Sequence, residues 1–478
     1  MDEPARPGFP IGVLRDLIRK LRFPFPDRTP PDNGRPKPDK DLDDHLRRVQ
    51  VGVIRKAFED TESGVSGGPV KGTIPPTDDA DVRYLYRPGH ALIRQEDFGR
   101  LRDYFTSDEN KDRYSGELGA SETRVPGLVL AKLPSRVDKQ DDVLATLGEL
   151  EDQRVIEPGA VCPDHIVYVT IRGSLCPASE PEMLRQRIGA TPWPPATPSR
   201  GDVSEEERIR VAVVDTGLWT AAVGSAKSPW LESGEIFADA TDEEHVNPNA
   251  IHEYAGHGTF VAGVVRCMAP DARVEVEGVL THGGAVYESE IVQQLQEAID
   301  DDNHPQIISI SAGTHTRGDF APLGFEMLNG HNKFARRDDI VIVAAAGNDA
   351  SSAPFWPAAF DWVVSVGSVD ADGKVSDFSN HGKSWVDVYA RGRNHVNAFP
   401  KGTYKCYEPP NVGQIRKFDG LAQWSGTSFS TPLVSGLIAA HMQATGDSAR
   451  KAADIVIKGG TPSTDPRVGP IVTVGPLT

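Results

Sequence analysis

The sequence is poor in cysteine, in long apolar stretches and in positive charge. Only four of its 478 residues are cysteines (Cys162, Cys176, Cys267 and Cys406), and they lack the close spacing that a zinc site needs. We expect free thiols, with a Cys162–Cys176 disulfide as the alternative.

No apolar stretch reaches the ~18 residues of a membrane helix, which argues against a membrane span. Lys plus Arg total 51 against 69 for Asp plus Glu, and the net charge of −18 argues against nucleic acid as a ligand.

The amino terminus lacks the unbroken apolar core of a secretion signal, so we expect a cytoplasmic protein. Residues 1–80 are interpreted as a Pro-rich arm with short amphipathic helices, because nine prolines fall within residues 1–40. Apolar residues at helical spacing within residues 11–21 predict a short basic helix docked on the acidic body, with a membrane surface or a partner as the alternative target. A similar pattern within residues 42–53 predicts a second helix.

Strand-like and helix-like segments alternate between residues 81 and 172. Apolar strand patterns such as GLVLAKLP and DHIVYVTI accompany two helical patterns, DFGRLRDYF and DDVLATLGELEDQ. These patterns predict a small α+β domain with two helices on one face of a sheet. The Pro-rich residues 173–206 predict a linker, and residues 207–478 are expected to form a larger second domain.

Three segments of the larger domain place a reactive side chain next to glycine, where two predicted elements meet. RIRVAVVDTG predicts a buried strand that ends on Asp215, at the sheet edge where α/β proteins hold catalytic groups. In EYAGHGTFVAGVV, glycines flank His257 before a helix. In GTSFSTPLVSG, Ser428 begins a helix whose Pro432 is expected in the first turn, where its missing N–H does no harm. Taken singly, each residue has a structural explanation: a strand end, a core histidine and a helix cap.

Together, the chain order Asp215, His257, Ser428 resembles that of the subtilisin-like serine proteases, the subtilases of peptidase family S8. The resemblance covers roughly residues 209–460. It implies a subtilisin-like three-layer α/β fold with a mostly parallel central sheet. It also implies a hydrolase for proteolysis, with Ser428 as the nucleophile, His257 as general base and acid, and Asp215 as the residue that orients His257.

Asn348 completes the implied catalytic set. It follows a predicted buried strand in IVIVAAAGNDA, at the place where subtilases keep an asparagine whose side-chain amide donates to the oxyanion. The backbone N–H of Ser428 is the second implied donor. Termination of the strand is the alternative explanation for Asn348.

The resemblance also implies a substrate cleft with small residues on its walls. The segment IISISAG resembles the wall of the first specificity pocket, and VLTHGGAVYESE resembles the edge to which a peptide substrate adds as an antiparallel strand. The implied substrate-binding residues are Gly283, Gly284, Ser311, Ala312, Gly313, Ala345 and Gly347. Their small size predicts an open pocket that takes a bulky apolar side chain.

Two insertions depart from the family pattern. The early insertion (residues 233–250) is acidic and precedes His257, and the late insertion (residues 393–424) carries lysines and aromatic residues and ends just before Ser428. Either insertion is placed to select substrates, to meet a partner or to bind structural calcium. The implied chemistry requires no cofactor. No metal ligand can be assigned from the spacing, so we predict no metal-binding residues.

Residues 81–172 resemble, more weakly, the ferredoxin-like prodomain that helps to fold and inhibits many subtilases. This resemblance implies a zymogen, in which the N-terminal region is an intramolecular inhibitor whose tail reaches the cleft; we expect self-cleavage within residues 172–205. The other implied partner is a protein or peptide substrate. Two alternatives stay open: a catalytically silent binding module with the same fold, and a lipase-type α/β-hydrolase, which needs Gly-x-Ser-x-Gly before its Asp and His.

Overall fold

The computed structural model describes residues 40–69, 71–137, 143–169, 180–184, 191–201 and 203–474. The predicted helix within residues 11–21, Cys176 and much of the predicted linker lie outside these ranges. The helices are α1 (Lys40–Ala57), α2 (Gln95–Thr106), α3 (Val143–Asp152), α4 (His257–Met268), α5 (Glu288–Asp300), α6 (Leu323–Asn332), α7 (Thr427–Thr445) and α8 (Ala449–Lys458).

The strands are short and are spread over the whole described chain. In the first half they are β1 (Ser66–Gly68), β2 (Tyr84–Arg94), β3 (Tyr114–Ser115), β4 (Gly119–Glu122), β5 (Leu128–Lys132), β6 (Ser135–Arg136) and β7 (Cys162–Val169). In the second half they are β8 (Arg210–Asp215), β9 (Ile236–Phe237), β10 (Arg273–Gly278), β11 (Ala285–Tyr287), β12 (Ile307–Ile310), β13 (Ala312–Gly313), β14 (Val341–Ala345), β15 (Val363–Val369), β16 (Val388–Arg391), β17 (His395–Ala398), β18 (Gly402–Lys405), β19 (Ile415–Phe418), β20 (Leu421–Trp424), β21 (Thr461–Pro462) and β22 (Pro470–Val472).

The second half is built on a nine-stranded sheet in the order β21-β22-β16-β15-β14-β12-β8-β10-β9. Every neighbouring pair in this order is parallel except β21 with β22. Strands β12 and β14 are buried at every position. Such continuous apolar strands are typical of a parallel sheet that is covered on both faces, because neither face then meets water.

Helices cover both faces of this sheet. Helices α4, α7 and α8 share one apolar core with the sheet, to which Phe260, Val434 and Ala453 contribute. Helices α5 and α6 lie in a second core on the other face, with Leu295 and Phe325. The three layers leave the carboxyl ends of the parallel strands at one edge, where side chains from different strands meet.

The first half forms a smaller antiparallel sheet around strands β7, β2, β5 and β4. One face packs on helices α2 and α3 through a separate core that includes Leu101 and Leu147. The other face, through Leu92 and Val167, joins the core that holds α5 and α6. Two short strands of the second half, β11 and β13, also pair with β7. The two halves therefore share one sheet.

Strand β7 is buried along its entire length. Side chains alternate across a strand, so Val167 and Val169 face the core of α5 and α6, whereas Ile166 and Tyr168 face helix α1.

Cys162, Cys267 and Cys406 are buried free cysteines. Across the described ranges, no helix has the length and apolar character needed to cross a membrane.

Candidate active site

Asp215 and His257 meet at the carboxyl edge of the parallel sheet. Asp215 is the last residue of β8 and His257 the first residue of α4. The two atoms Asp215 Oδ1 and His257 Nδ1 are 2.7 Å apart, and both side chains are almost fully buried. A Cβ atom at Gly258 would lie 2.5 Å from Gly217 O and 3.2 Å from Asp215 Cβ. Glycine is thus required here, because the start of the helix must approach the end of the strand closely.

Ser428 is the second residue of α7 and lies beside Ser311. The Ser428 hydroxyl donates to the Ser311 carbonyl at 3.4 Å, and the Ser311 hydroxyl donates to the Ser428 carbonyl at 2.9 Å. The prediction for Pro432 was wrong: it is the sixth residue of the helix rather than part of the first turn. Proline has no N–H for the carbonyl four residues earlier. Ser311 supplies the missing donor to the Ser428 carbonyl.

Aromatic rings link His257 to the segment that carries Ser428. The His257 ring lies 5.3 Å from the Trp424 ring, edge to face, and 5.4 Å from the Phe429 ring. Phe429 directly follows Ser428 in the chain, and Trp424 ends β20. The structure therefore brings the three residues Asp215, His257 and Ser428 to one place.

Asn348 is held by the first turn of α7. Its Oδ1 atom accepts hydrogen bonds from Thr427 N and Thr427 Oγ1, both at 2.9 Å. A Cβ atom at Gly426 would lie 3.4 Å from Asn348 Nδ2 and 3.7 Å from Ser428 N. The side-chain amide nitrogen of Asn348 and the backbone nitrogen of Ser428 thus border the same glycine. Two hydrogen-bond donors at one point suit an anionic oxygen.

The seven residues predicted to bind substrate divide into three groups. Gly284, Ala312 and Gly313 contact strand β7: Val169 N donates to Gly284 O at 2.8 Å, and Ala312 and Gly313 pair with the end of β7. Ser311 contacts Ser428, as described above. The other three predicted residues make no described pairing with β7. Gly283 lies against helix α1, Ala345 ends strand β14, and the Gly347 carbonyl accepts from Asn380 N at 2.9 Å.

The space beside these small residues holds an aromatic ring. A Cβ atom at Gly313 would lie 2.2 Å from Phe355 Cε1, and one at Gly347 would lie 3.0 Å from Phe355 Cδ1. Phe355 is fully buried. Glycine at both positions therefore makes room for Phe355, so part of the predicted open pocket is filled by this ring.

Glu244 of the early insertion lies behind the Asp215–His257 pair, and sequence reasoning did not single it out. Its Oε2 atom accepts from Gly256 N at 2.7 Å, directly before His257. Burial raises the pKa of Glu244 to about 8; the Gly256 N–H opposes this shift and the negative Asp215 adds to it. The acidic composition of the insertion was visible, but nothing in it marked which carboxyl group turns inward.

Within the described ranges, no group of three or more His, Cys, Asp or Glu side chains could hold a metal ion. The acidic residues of the early insertion are therefore not gathered into a side-chain site of that kind.

The subtilase family model matches residues 206–458 of the chain. An intracellular serine protease of Paenibacillus polymyxa is 30% identical over 246 residues, which are 48% of this chain and 65% of that protein. The major intracellular serine protease of Bacillus subtilis (strain 168) is 30% identical over 249 residues, 49% of this chain and 68% of that protein. The match thus spans about two thirds of these relatives. Among solved structures, the patellamide maturation protease PatA aligns over 56% of this chain and 94% of its own at 23% identity, with a TM-score of 0.43.

Replacing Glu244 by Gln tests the buried carboxyl group. The folded pKa of about 8 lies above the ordinary 4.5, so the stability that protonated Glu244 contributes is complete below pH 4.5 and is lost as the pH rises through 8. Because one pKa unit is worth about 1.4 kcal/mol, the loss across this window is on the order of several kcal/mol. The melting temperature of E244Q should therefore rise relative to that of the parent chain between pH 5 and pH 9. If the difference in melting temperature between the two chains stayed constant across this range, the pKa of Glu244 would not be raised by burial.

Proposed function

The chain belongs to the subtilase family, and from this premise we propose that it is a serine endopeptidase that cleaves peptide bonds through an acyl-enzyme intermediate. The observation that carries the proposal is the 2.7 Å contact between His257 Nδ1 and Asp215 Oδ1, with Ser428 at the start of helix α7. The catalytically silent module with the same fold is the alternative, and the Ser428 variant below distinguishes the two.

In the proposed mechanism, Asp215 accepts a hydrogen bond from the Nδ1–H of His257, which holds the neutral imidazole in the tautomer whose Nε2 is basic. Nε2 takes the hydroxyl proton of Ser428 while Oγ attacks the substrate carbonyl carbon. The tetrahedral adduct collapses when the imidazolium returns this proton to the leaving amine, so an ester to Ser428 and a free amine result. Water then attacks the ester by the same proton transfers and releases the acid. The proposed steps call on no cofactor.

Asn348 is the proposed donor to the oxyanion, together with the backbone N–H of Ser428. Thr427 supports this role, because its two hydrogen bonds to Oδ1 fix which end of the amide is the acceptor. The NH₂ end is thereby directed away from Thr427 and towards the Gly426 side. A donor fixed in advance stabilises developing charge without reorganisation during the reaction.

The proposed substrate is an extended protein or peptide chain bound between β11 and β13. Both are short edge strands, and an extended peptide can add to such edges through backbone hydrogen bonds. The two curated relatives named above are called intracellular proteases, and we propose the same setting, the cytoplasm, for this chain.

The N-terminal region is proposed to restrain the enzyme by occupying this cleft. Strand β7 pairs antiparallel with β11 through Tyr168 and Val167, and with β13 through Val169. It therefore uses the same edges that an extended substrate would need. Because β7 belongs to the same chain, its effective concentration at the cleft is high. A substrate must displace it before it can bind.

Helix α1 supports this restraint from the outer side. Ile54 of α1 and Phe58, which directly follows the helix, share a core with Ile166 and Tyr168 of β7. The Phe58 ring also stacks on His282 at 4.6 Å, just before Gly283. Helix α1 therefore covers the face of β7 that points away from the catalytic core.

Replacing Ser428 by Ala should abolish peptide hydrolysis and leave the fold intact, because the change removes one hydroxyl group. Intact-mass analysis should show one uncut chain for S428A and cleavage within residues 172–205 for the parent. S430A is the matched control, because the Ser430 hydroxyl on the same helix donates to Ala390 O at 3.1 Å and has no proposed role. Substantial hydrolysis by S428A would refute the mechanism.

Replacing Asn348 by Ala should lower kcat about 100-fold or more with a smaller change in KM, as is known for this donor in subtilisin itself. T427A is the control, since it removes one hydrogen bond to Asn348 but keeps the amide donor. The kcat of T427A should fall by less than about tenfold. If N348A instead raised KM at constant kcat, Asn348 would be a residue for ground-state binding.

Replacing Ile54 by Asp should release the restraint, because Ile54 is 1% exposed and an unpaired carboxylate is costly to bury against β7. We expect peptide hydrolysis to be about tenfold faster or more, since each 1.4 kcal/mol lost from docking is a factor of ten. K56D carries the same new side chain on the exposed face of α1 and should leave the rate unchanged. A folded I54D chain with the parental rate would show that α1 plays no part in the restraint.

A further inference from the structure

The linker that follows the front domain is docked on the late insertion. Glu182 and Gln423 exchange two backbone hydrogen bonds, N to O in each direction at 2.8 Å. Gln423 lies on β20, which leads directly into helix α7 and Ser428. The linker therefore pairs antiparallel with β20, the strand that precedes the proposed nucleophile.

Glu180, two residues earlier, places its carboxylate in a site built by the late insertion. The residue is 5% exposed. Its Oε1 atom accepts from Tyr407 N at 2.5 Å and from Tyr404 Oη at 3.2 Å. Its Oε2 atom lies 3.9 Å from Arg416 Nη1, which also donates to Pro181 O at 2.6 Å. An amide, a phenol and a guanidinium thus converge on one carboxylate.

This donor set matches a carboxylate and is costly to leave empty. Arg416 is 11% exposed at its side chain, and a buried guanidinium needs an anionic partner. Burial raises the pKa of Glu180, while the backbone N–H of Tyr407 and the positive Arg416 act in the opposite direction. Every side-chain hydrogen bond and ion pair described for Arg416 goes to the linker, whereas its backbone pairs with Tyr404 within the late insertion. The Arg416 side chain therefore holds the docked linker.

The described residues on either side of the gap before Glu180 both lie near the catalytic centre. Strand β7 ends at Val169 against Ala312, next to Ser311, which contacts Ser428. The linker resumes against Gln423, next to Trp424, whose ring contacts His257. Residues 170–179 between these stretches lie outside the described ranges. The chain described before this gap thus ends beside Ser311, and the chain described after it begins beside Trp424, so Glu180 lies on the later side.

We propose that Tyr404, Tyr407 and Arg416 form a specificity subsite for a carboxylate side chain of the substrate, on the carboxyl side of the scissile bond. Glu180 is the chain's own occupant of this subsite. The inference rests on the proposed function, because it assigns a substrate class to the same cleft: proteins with a glutamate or aspartate downstream of the cleaved bond. Release of the linker frees the subsite for such a substrate.

Hydrolysis of matched peptides by the full chain tests the proposal. Peptides that carry Glu, Gln or Lys at each position after the cleaved bond are compared by kcat/KM. The parent should prefer Glu over Gln at one position by about tenfold or more, as expected for hydrogen bonds to a charged group. R416Q should lose this preference and R416E should favour Lys. K417Q, a change at the exposed neighbour on β19, should keep it.

A binding measurement decides the proposal without catalysis. A fluorescent peptide with the sequence ASEPEMLRQ (residues 178–186) is titrated into the full chain carrying S428A and E180A. It should bind at least about tenfold more tightly than the same peptide with Gln for Glu180, and R416Q should remove the difference. Equal affinity of the two peptides, or equal discrimination in R416Q, would overturn the subsite. Glu-selective binding by a chain that hydrolyses nothing would support the subsite and refute the proposed function instead.

Discussion

The pairing of strand β7 with β11 and β13 is the interaction on which the arrangement of the whole chain depends. It joins the antiparallel sheet of the first half to two edges of the second half. The side chains of β7 also join two apolar cores, since Val167 faces helices α5 and α6 and Tyr168 faces helix α1. A strand buried on both faces and hydrogen-bonded on both edges is held firmly, because its removal would expose apolar surface and unpaired backbone groups together.

A second constraint, the parallel register of β8, β12 and β14, gathers the polar groups at one edge. The register aligns Val214 with Ile310, and Ile310 with Ala344. Asp215 ends the first of these strands, and Ser311 and Asn348 follow the other two within a few residues. Helix α7 then crosses this edge with Ser428 in its first turn. The site is thus assembled from strand ends that are far apart in sequence, and glycines allow the close approach.

The family and the subtilisin-like α/β class were predicted from the sequence, and both are confirmed by the family match. They were predictable because the chemistry is concentrated in short segments beside glycine, which are informative through their combination and their order in the chain. The roles of Asp215, His257, Asn348 and Ser428 stay predictions, although the structure brings these residues together. Pro432 was misplaced because the exact start of α7 depends on Gly426 and Asn348 rather than on local pattern.

Two features could not be predicted because they depend on distant contacts within the insertions. Glu244 was one of several acidic residues in the early insertion, and only folding turns it towards Gly256. Arg416 and Glu180 are 236 positions apart (416 − 180) and meet only because the linker docks on the late insertion. Neither contact is marked in the sequence by a periodic pattern or a motif. In both cases the sequence showed only that the segment carries charged residues, which is typical of an exposed segment.

The most direct test of the central claim, that Ser428 is an activated nucleophile, is covalent labelling of the full chain with a small fluorophosphonate, followed by peptide mapping. Such a probe reacts with a serine whose proton is removed by a positioned base. We predict a single adduct on the peptide that contains Ser428, formed by the folded chain and absent after denaturation. A folded chain that takes up no label, or carries it on another serine, would show that Ser428 is not an activated nucleophile.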